Sequence, residues 1–596
     1  MSKIKLTDLL AKYLVSRRIK NVFSVIGGAN LHIIDSLSKN KNIKLTFNHH
    51  EQAAALAAQA SARVSKVPGV CVITTGPGGT NALTGLLSAW QDSIPCIFIS
   101  GQSRSNIIKN TFNLRQLGAQ GFDIIKLVKP ITKKAITVLN EEKFFEILDE
   151  YYFSCLSGRP GPVWIDIPFD IQIKKIDNFK KLQKYKKDSF KINSKKINYF
   201  KSLILNSKKP ILLAGNGIHT SNTEKKFLEF VYKFKFPTLL TWNASDLIEY
   251  SNKYNLGIPG MFGQRAANLI IQNCDLIIAI GSHLNLSITT PAINKFSPNS
   301  KLILVNIDDD EIYYSKKKPS LAIKSDLNDF FLKLNKIRYN NSHHQIKWLK
   351  ACNLIKSNFN KNYIKKYKNK IDPYDFIDQL SILSKRNKTF VIDGGGTCNQ
   401  IFFQSFKNKK NQRMIISAGI CAMGSGLPDS IGIAKNNKKR DIFLVCGDGS
   451  LQLNIQELQT IKDNKLNIKI FIFSNNGYLS IRHTQSQFLN KNYIGSIKSG
   501  GLNFPNIKKI ANSYSIDYLR ISNISEFKKK LLKILKIKKP YIIEIMMPDN
   551  YKILPRMEFI KQNNGKFIAA GLENMYPFLS NKNKNLINKL LKKNDN

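Results

Sequence analysis

The chain has 596 residues, 43% of them hydrophobic and 22% charged, and carries a formal net charge of +51. About three domains are expected, since single cores rarely grow past roughly 250 residues, and no run approaches the roughly 20 apolar residues of a membrane helix. The excess charge is almost all lysine, spread along the chain among Asn and Ile without a zinc-finger, RRM or helix-turn-helix signature, so neither a nucleic-acid nor a membrane partner is expected, only a weak salt-sensitive attraction to polyanions.

The N-terminus, MSKIKLTDLLAKYLVSRR, lacks a secretory h-region and reads as an amphipathic helix with Thr7 as its N-cap. Residues 4–175 predict a first α/β domain. In it VFSVIGGAN (22–30) is a strand running into a Gly pair and a helix, and LTFNHHEQAAALAAQASARVSK (45–66) is a strand ending near Asn48 followed by an Ala-rich helix. Glu51 stands at that helix start, where a carboxylate complements the helix dipole by a few tenths to about 1 kcal/mol. Residues 172–200 are Lys-rich and read as a linker. A second α/β domain, 201–335, has strands in PILLAGNGI (210–218), DLIIAIGSHLN (275–285) and KLILVNIDDDE (301–311). Its Gly215, Asn216 and Gly217 suggest a nucleotide loop, but the GxGxxG pattern is incomplete. Residues 336–372 form a connector with a helix.

The third domain, 373–548, holds the most informative stretch, DIFLVCGDGSLQLNIQELQTIKDNKLNIKIFIFSNNGY (441–478). An apolar run ending in Gly predicts a buried parallel strand. Leu453, Ile455, Leu458 and Ile461 predict the apolar face of a helix after Ser450, and Ile468–Phe473 a second strand. Asp448 and Asn475 then end neighbouring strands. Gly447 and Gly449 allow close backbone approach, and a hard divalent cation suits one carboxylate, one amide oxygen and one main-chain carbonyl. TFVIDGGGTCNQ (389–400) is a strand and a Gly-rich loop whose amides, Gly395 to Cys398, suit a diphosphate. Met423 in SAGICAMGSGLPDSIGIA (417–434) reads as core packing; Asp429 has no evident role. His483 reads as a proton-transfer group or a surface residue. The tail, 549–596, is expected to fold back as a lid, with its last stretch frayed. The eight cysteines form no CxxC pair and read as reduced, buried thiols of a cytoplasmic protein. The fold class is α/β, with three doubly wound parallel-sheet domains.

GDGS followed by NNGY, with Asn475 27 residues after Asp448, resembles the thiamine-diphosphate motif of the pyruvate-decarboxylase and acetolactate-synthase superfamily. The GGA turn (27–29), HEQAAA (50–55), TGPGGTN (75–81) and DSIP…SGQ (92–102) resemble, in order, the pyrimidine-binding domain of acetolactate synthases. GMFG (260–263) is similar to their FAD-carrying middle domain. The resemblance covers about residues 4–548 and makes the three domains pyrimidine-binding, central Rossmann-like and diphosphate-binding. It implies Mg²⁺ held by Asp448, Asn475 and the Gly477 carbonyl. It implies cofactor contacts from Gly28, His50, Glu51, Gly395, Gly396, Thr397, Cys398, Met423, Gly447, Gly449, Ser450 and Tyr478, with Met423 as a wedge under the cofactor. Glu51 is implied to bond the aminopyrimidine N1′ and promote C2 deprotonation, with Gln102 and Gln120 lining the same pocket. The departures are Ala119, Gly121, Phe169, His283 and Ser287, where the family carries other residues, including a Lys at 169 and Arg at 283 and 287. FAD and the acceptor therefore stay open. The implied activity is decarboxylation of a 2-oxo acid such as pyruvate and transfer of the acyl unit to an acceptor carbonyl. The alternatives are another acceptor, such as a keto-sugar nucleotide, or a catalytically silent homologue. A homodimer or homotetramer with sites shared between chains is implied, and a small regulatory subunit is left open.

Overall fold

Apolar runs that end in glycine become strands covered on both faces, as parallel sheets require. The computed structural model describes residues 3–110, 114–178, 190, 192–360, 363–436, 440–561 and 567–592. Three parallel sheets organise it. The first has the strand order Lys44–Phe47, Asn21–Ser24, Gly69–Ile73, Cys96–Gln102, Pro162–Pro168, Lys134–Thr137. The second runs Thr238–Leu240, Pro210–Ala214, Leu276–Ile280, Lys301–Asn306, Leu321–Lys324. The third runs Arg413–Ile416, Lys388–Ile392, Asp441–Gly447, Ile468–Ser474, Tyr541–Met546, Asp517–Ile521.

Each sheet begins at an inner strand, adds one neighbour on one side and then grows on the other. The reversal points lie between Asn21–Ser24 and Gly69–Ile73, between Pro210–Ala214 and Leu276–Ile280, and between Lys388–Ile392 and Asp441–Gly447. Ligands of open α/β sheets bind outside the carboxyl ends of such strand pairs. The segments found there are all glycine-rich: 27–28 with 74–79, 215–217 with 281, and 394–397 with 447–450.

The first and third domains share one core. Helix Glu51–Ser65 packs along helix Gly426–Asn436, and Ala53 to Ala58 are wholly buried. Phe23, Ala57 and Trp164 belong to the same apolar cluster as Leu427, Leu444 and Ile470. Gln59 and Ser417 both donate to Asp429, at 2.6 and 2.8 Å, which gives that residue its role.

Four expectations need correction. Thr7 is not the N-cap of the first helix, which runs Leu6–Ser16 from Lys5; its hydroxyl is buried 2.8 Å from that of Ser36. Residues 448–463 are not one helix. They form helix Asp448–Leu451, a 3₁₀ turn Gln452–Asn454 and helix Glu457–Asp463. The tighter turn rotates Leu453 off the apolar face and leaves it 48% exposed, while Leu458 and Ile461 stay buried. The last stretch does not fray over 581–592, because Asn581–Lys592 is a helix against helix His343–Phe359, with Ile587 buried; residues 593–596 lie outside the described residues. The Lys-rich segment after 172 includes strand Lys175–Asp177, paired antiparallel with Lys3–Lys5; its residues 179–189 and 191 lie outside the described residues. All eight cysteines are free thiols, seven of them buried. Among the described residues no helix is long and apolar enough to cross a membrane.

Candidate active site

Strands Asp441–Gly447 and Ile468–Ser474 are paired neighbours, with Gly447 opposite Phe473, so Asp448 and Asn475 emerge side by side. Asp448 is buried. Its Oδ1 accepts the Gly449 N–H at 2.8 Å, and Oδ2 accepts those of Asn475 and Asn476 at 2.9 and 2.8 Å. Burial pushes this carboxyl up to about 6, while the three N–H groups and Arg482 pull it back. The Arg482 guanidinium, itself buried, donates to the main-chain and side-chain oxygens of Asn475 at 3.0 and 3.4 Å. Gly477 has φ +142°, and a Cβ there would overlap the Ser496 carbonyl oxygen, so only glycine fits. One carboxylate, one amide oxygen and one main-chain carbonyl make a hard oxygen set that suits Mg²⁺ and leaves positions for water and phosphate.

The glycine loop after strand Lys388–Ile392 is shaped by buried Asp393, which accepts the Gly395 and Gly426 N–H groups at 2.8 and 2.9 Å. A Cβ at Gly395 would overlap Met423 Cγ and Ser450 Oγ, so these three residues close on one another as a cradle. Gly396 caps helix Thr397–Ser405. Thr397 Oγ1 lies 2.7 Å from the Tyr551 hydroxyl, and Asn475 Nδ2 donates to that hydroxyl at 3.4 Å. The Cys398 thiol is turned inward, donating to the Gly395 carbonyl at 3.4 Å; only its backbone remains for a ligand. The Tyr478 ring covers Gly449 and meets Phe504 edge-on at 5.6 Å. His483 donates to the Tyr551 carbonyl at 2.8 Å, and burial lowers its pKa to about 4, so the ring is neutral and held.

In the first domain Glu51 opens helix Glu51–Ser65, and its Oε2 accepts from Asn81 at 3.0 Å. His50 is the N-cap, its Nδ1 accepting the Gln52 N–H at 3.1 Å. Gln102 spends its whole amide internally, donating to the Phe122 carbonyl at 3.0 Å and Asp166 at 3.1 Å, and accepting from Thr75 at 2.9 Å and the Ser103 N–H at 3.0 Å. It braces the carboxyl ends of the inner strands. Gln120 is exposed, with φ +61°, beside Gly76. Gly28 is exposed at the end of strand Asn21–Ser24. Gly121 packs so tightly on Leu117 and Ser103 that the larger residue of the resembled family has no room here. Among the described residues Glu51 and Asp448 share no hydrogen bond.

A cavity of about 700 Å³ lies at the reversal point of the middle sheet and reaches the third domain. Gly215, Gly281, His283 and Ser287 line one end, and Asn399 and Gln400 the other. Among the described residues the Asn399 Oδ1 and Gln400 Oε1 atoms are buried without a partner. Phe169 follows strand Pro162–Pro168 and packs on His32, ring centroids 4.7 Å apart. Asp393, Glu457, Arg482 and Tyr551 escaped the sequence reading. Asp393 alone had a local signal, an Asp before glycines at a strand end, the same pattern as Asp448.

The chain matches the thiamine pyrophosphate enzyme N-terminal TPP binding domain over residues 4–127, the central domain over 197–334 and the C-terminal TPP binding domain over 394–545. It is similar to the acetolactate synthase large subunit of Cyanidium caldarium, 32% identical over 572 residues that cover 93% of this chain and 95% of that one. It is 29% identical to the acetolactate synthase isozyme 1 large subunit of Escherichia coli K12, covering 92% and 95%, and 28% identical to the chloroplastic acetolactate synthase of Arabidopsis thaliana, covering 92% and 82%. With three domains matched in order and relatives aligned over nearly the full length, the chain belongs to the thiamine pyrophosphate enzymes, as an acetolactate synthase large-subunit-like member.

Proposed function

We propose that the enzyme decarboxylates a 2-oxo acid, pyruvate, with thiamine diphosphate and Mg²⁺, and joins the remaining acyl unit to an acceptor carbonyl. The reading is carried by Asp448 and Asn475 standing at the carboxyl ends of two paired strands, beside the reversal point that holds the Gly395–Met423–Ser450 cradle. Asp448, Asn475 and the Gly477 carbonyl would hold Mg²⁺, and the amides of the Gly395–Thr397 loop would face the diphosphate. The bound cofactor supplies an electron sink for loss of CO₂. Asn81 occupies one Glu51 oxygen, so the other is left to share a proton with N1′ of the aminopyrimidine.

The site is shared between two copies of the chain. In support, Ile26, Phe47 and Leu453 beside the two half-sites are 53, 47 and 48% exposed, an apolar surface that a second copy would cover. The 700 Å³ cavity fits a flavin adenine dinucleotide, since ligand sites span roughly 300–1,000 Å³, and Asn399 and Gln400 offer unpaired acceptors to its N–H donors. Flavin absorbance of the purified protein tests this.

A second reading keeps the donor and changes the acceptor. The Phe169–His32 ring pair stands where the resembled family carries a Lys, and favours an acceptor that stacks, such as a keto-sugar nucleotide, over one that ion-pairs. Turnover of pyruvate with thiamine diphosphate and Mg²⁺ separates the readings. Acetolactate and CO₂ together support the first. CO₂ without acetolactate moves the search to other acceptors. Neither product, with cofactor bound, overturns pyruvate as donor.

A further inference from the structure

We propose that Glu457 of the third domain is the positioning residue for Glu51 of the same chain; this rests on the reading of Glu51 as the proton-sharing carboxylate. The turn 48–52 joins strand Lys44–Phe47 to the helix that Glu51 opens. Its own domain ties it by the Asn48 N–H to the Ser24 carbonyl, 2.9 Å, and by the His50 cap. The rest of its anchoring comes from across the domain boundary. Glu457 Oε1 accepts the His49 N–H at 2.9 Å, and Oε2 accepts Asn48 Nδ2 at 2.8 Å. Asn454 Nδ2 donates to Gln52 Oε1 at 3.2 Å. These bonds bracket Glu51 on both sides.

Glu457 is itself immobilised. It is wholly buried, and Thr460 Oγ1 donates to its Oε2 at 2.8 Å. A buried carboxylate carries a desolvation cost that a well-packed apolar residue would not. Docking of the two domains does not need it, because the Glu51–Ser65 and Gly426–Asn436 helices already meet through buried apolar side chains and the Gln59–Asp429 bond. What the carboxylate alone provides is two acceptors aimed at the two residues that precede His50 and Glu51. The Glu51 side chain has one hydrogen-bond partner among the described residues, Asn81. The place of its reactive oxygen is therefore set by the backbone of the turn, and an error of about 1 Å there costs roughly 100-fold in rate.

The chemistry of position 457 predicts a graded response. Alanine removes both acceptors. Glutamine keeps one oxygen for the His49 N–H and turns an N–H₂ toward Asn48, whose Oδ1 is buried without a partner among the described residues. A flip of the Asn48 amide then restores the second bond, so glutamine rescues.

The test is the exchange of the C2 proton of bound thiamine diphosphate for deuterium in the full-length protein with Mg²⁺, read by acid quench and NMR, beside cofactor affinity and thermal unfolding. Relative to wild type, Glu457→Ala slows exchange at saturating cofactor by at least about 10-fold with affinity within about 3-fold, and Glu457→Gln returns to within about 3-fold. Should the alanine variant not fold, Asn48→Ala, which removes one of the two bonds and leaves Glu457 in place, must slow exchange in the same direction. Wild-type exchange in Glu457→Ala, while Glu51→Gln is slow, overturns the proposal. So does a loss of affinity and exchange together that glutamine fails to restore. Fast exchange in Glu51→Gln overturns instead the reading of Glu51, and the proposal with it.

Discussion

Gln59, on the first domain, donates its amide to the Asp429 carboxylate of the third at 2.6 Å, inside the joint core of the two domains. Ser417 supplies the only other donor to that carboxylate among the described residues. Burial pushes the Asp429 pKa up from 3.8 to about 7, against the pull of Arg63 and Ser417. A folded pKa above the unfolded one means stability that is fully present below about pH 4 and is lost as pH rises toward about 7, by up to about 4 kcal/mol. Asp429→Asn removes this dependence, because its amide serves Gln59 through the oxygen and Ser417 through the nitrogen. The variant's melting temperature should gain on that of the wild type between about pH 4 and about pH 8. A wild type that gains on the variant over that range contradicts the assignment.

Gly477→Ala should break the loop that follows Asn475. The residue sits at φ +142° with the Ser496 oxygen where a Cβ would be. A strained backbone of this kind costs on the order of 1–3 kcal/mol. Chemical denaturation should show a loss of that size, and Mg²⁺-dependent cofactor binding, followed by fluorescence, should fall with it.

Asp448→Asn keeps an oxygen for one set of backbone N–H groups but removes the only carboxylate of the oxygen set. The affinity for thiamine diphosphate in the presence of Mg²⁺ should drop by at least about 100-fold, and raising Mg²⁺ should recover little of it. Titration calorimetry at two Mg²⁺ concentrations decides; full recovery at high Mg²⁺ would count against the metal role.

Tyr551→Phe should weaken cofactor binding without unfolding the tail. The hydroxyl joins Thr397 to Asn475, and its loss leaves buried polar atoms unpaired at about 1–3 kcal/mol. About a 10-fold rise in the dissociation constant is expected, with the His483 bond to the Tyr551 carbonyl intact.

Local patterns announce what local geometry needs. Strands buried on both faces must be apolar throughout, and a backbone that approaches a ligand closely must be glycine, so the glycine-rich segments after the strands and the placing of Asp448 beside Asn475 were legible. Partnerships across domains leave no such mark. Nothing near Glu457 or Asp429 in the chain tells that their partners lie 409 and 370 residues away. Nor does the residue type of His50 or Gln102 reveal that the one is committed to a cap and the other to Asp166. The terminal helix was misread because its Lys and Asn content resembles that of disordered tails, while Leu586, Ile587, Leu590 and Leu591 still gather on one face against the middle domain.

The core shared by the first and third domains also sets an order of assembly. At roughly 5–20 residues per second, synthesis reaches Asp429 on the order of 20–70 s after Gln59 has been made. Through that interval the Ala-rich helix Glu51–Ser65 can pack on strand Gly69–Ile73 and helix Leu83–Gln91 of its own domain, but the side that meets helix Gly426–Asn436 stays uncovered. A ribosome that stalls before helix Gly426–Asn436 would release a chain with that side bare, an apolar surface open to aggregation.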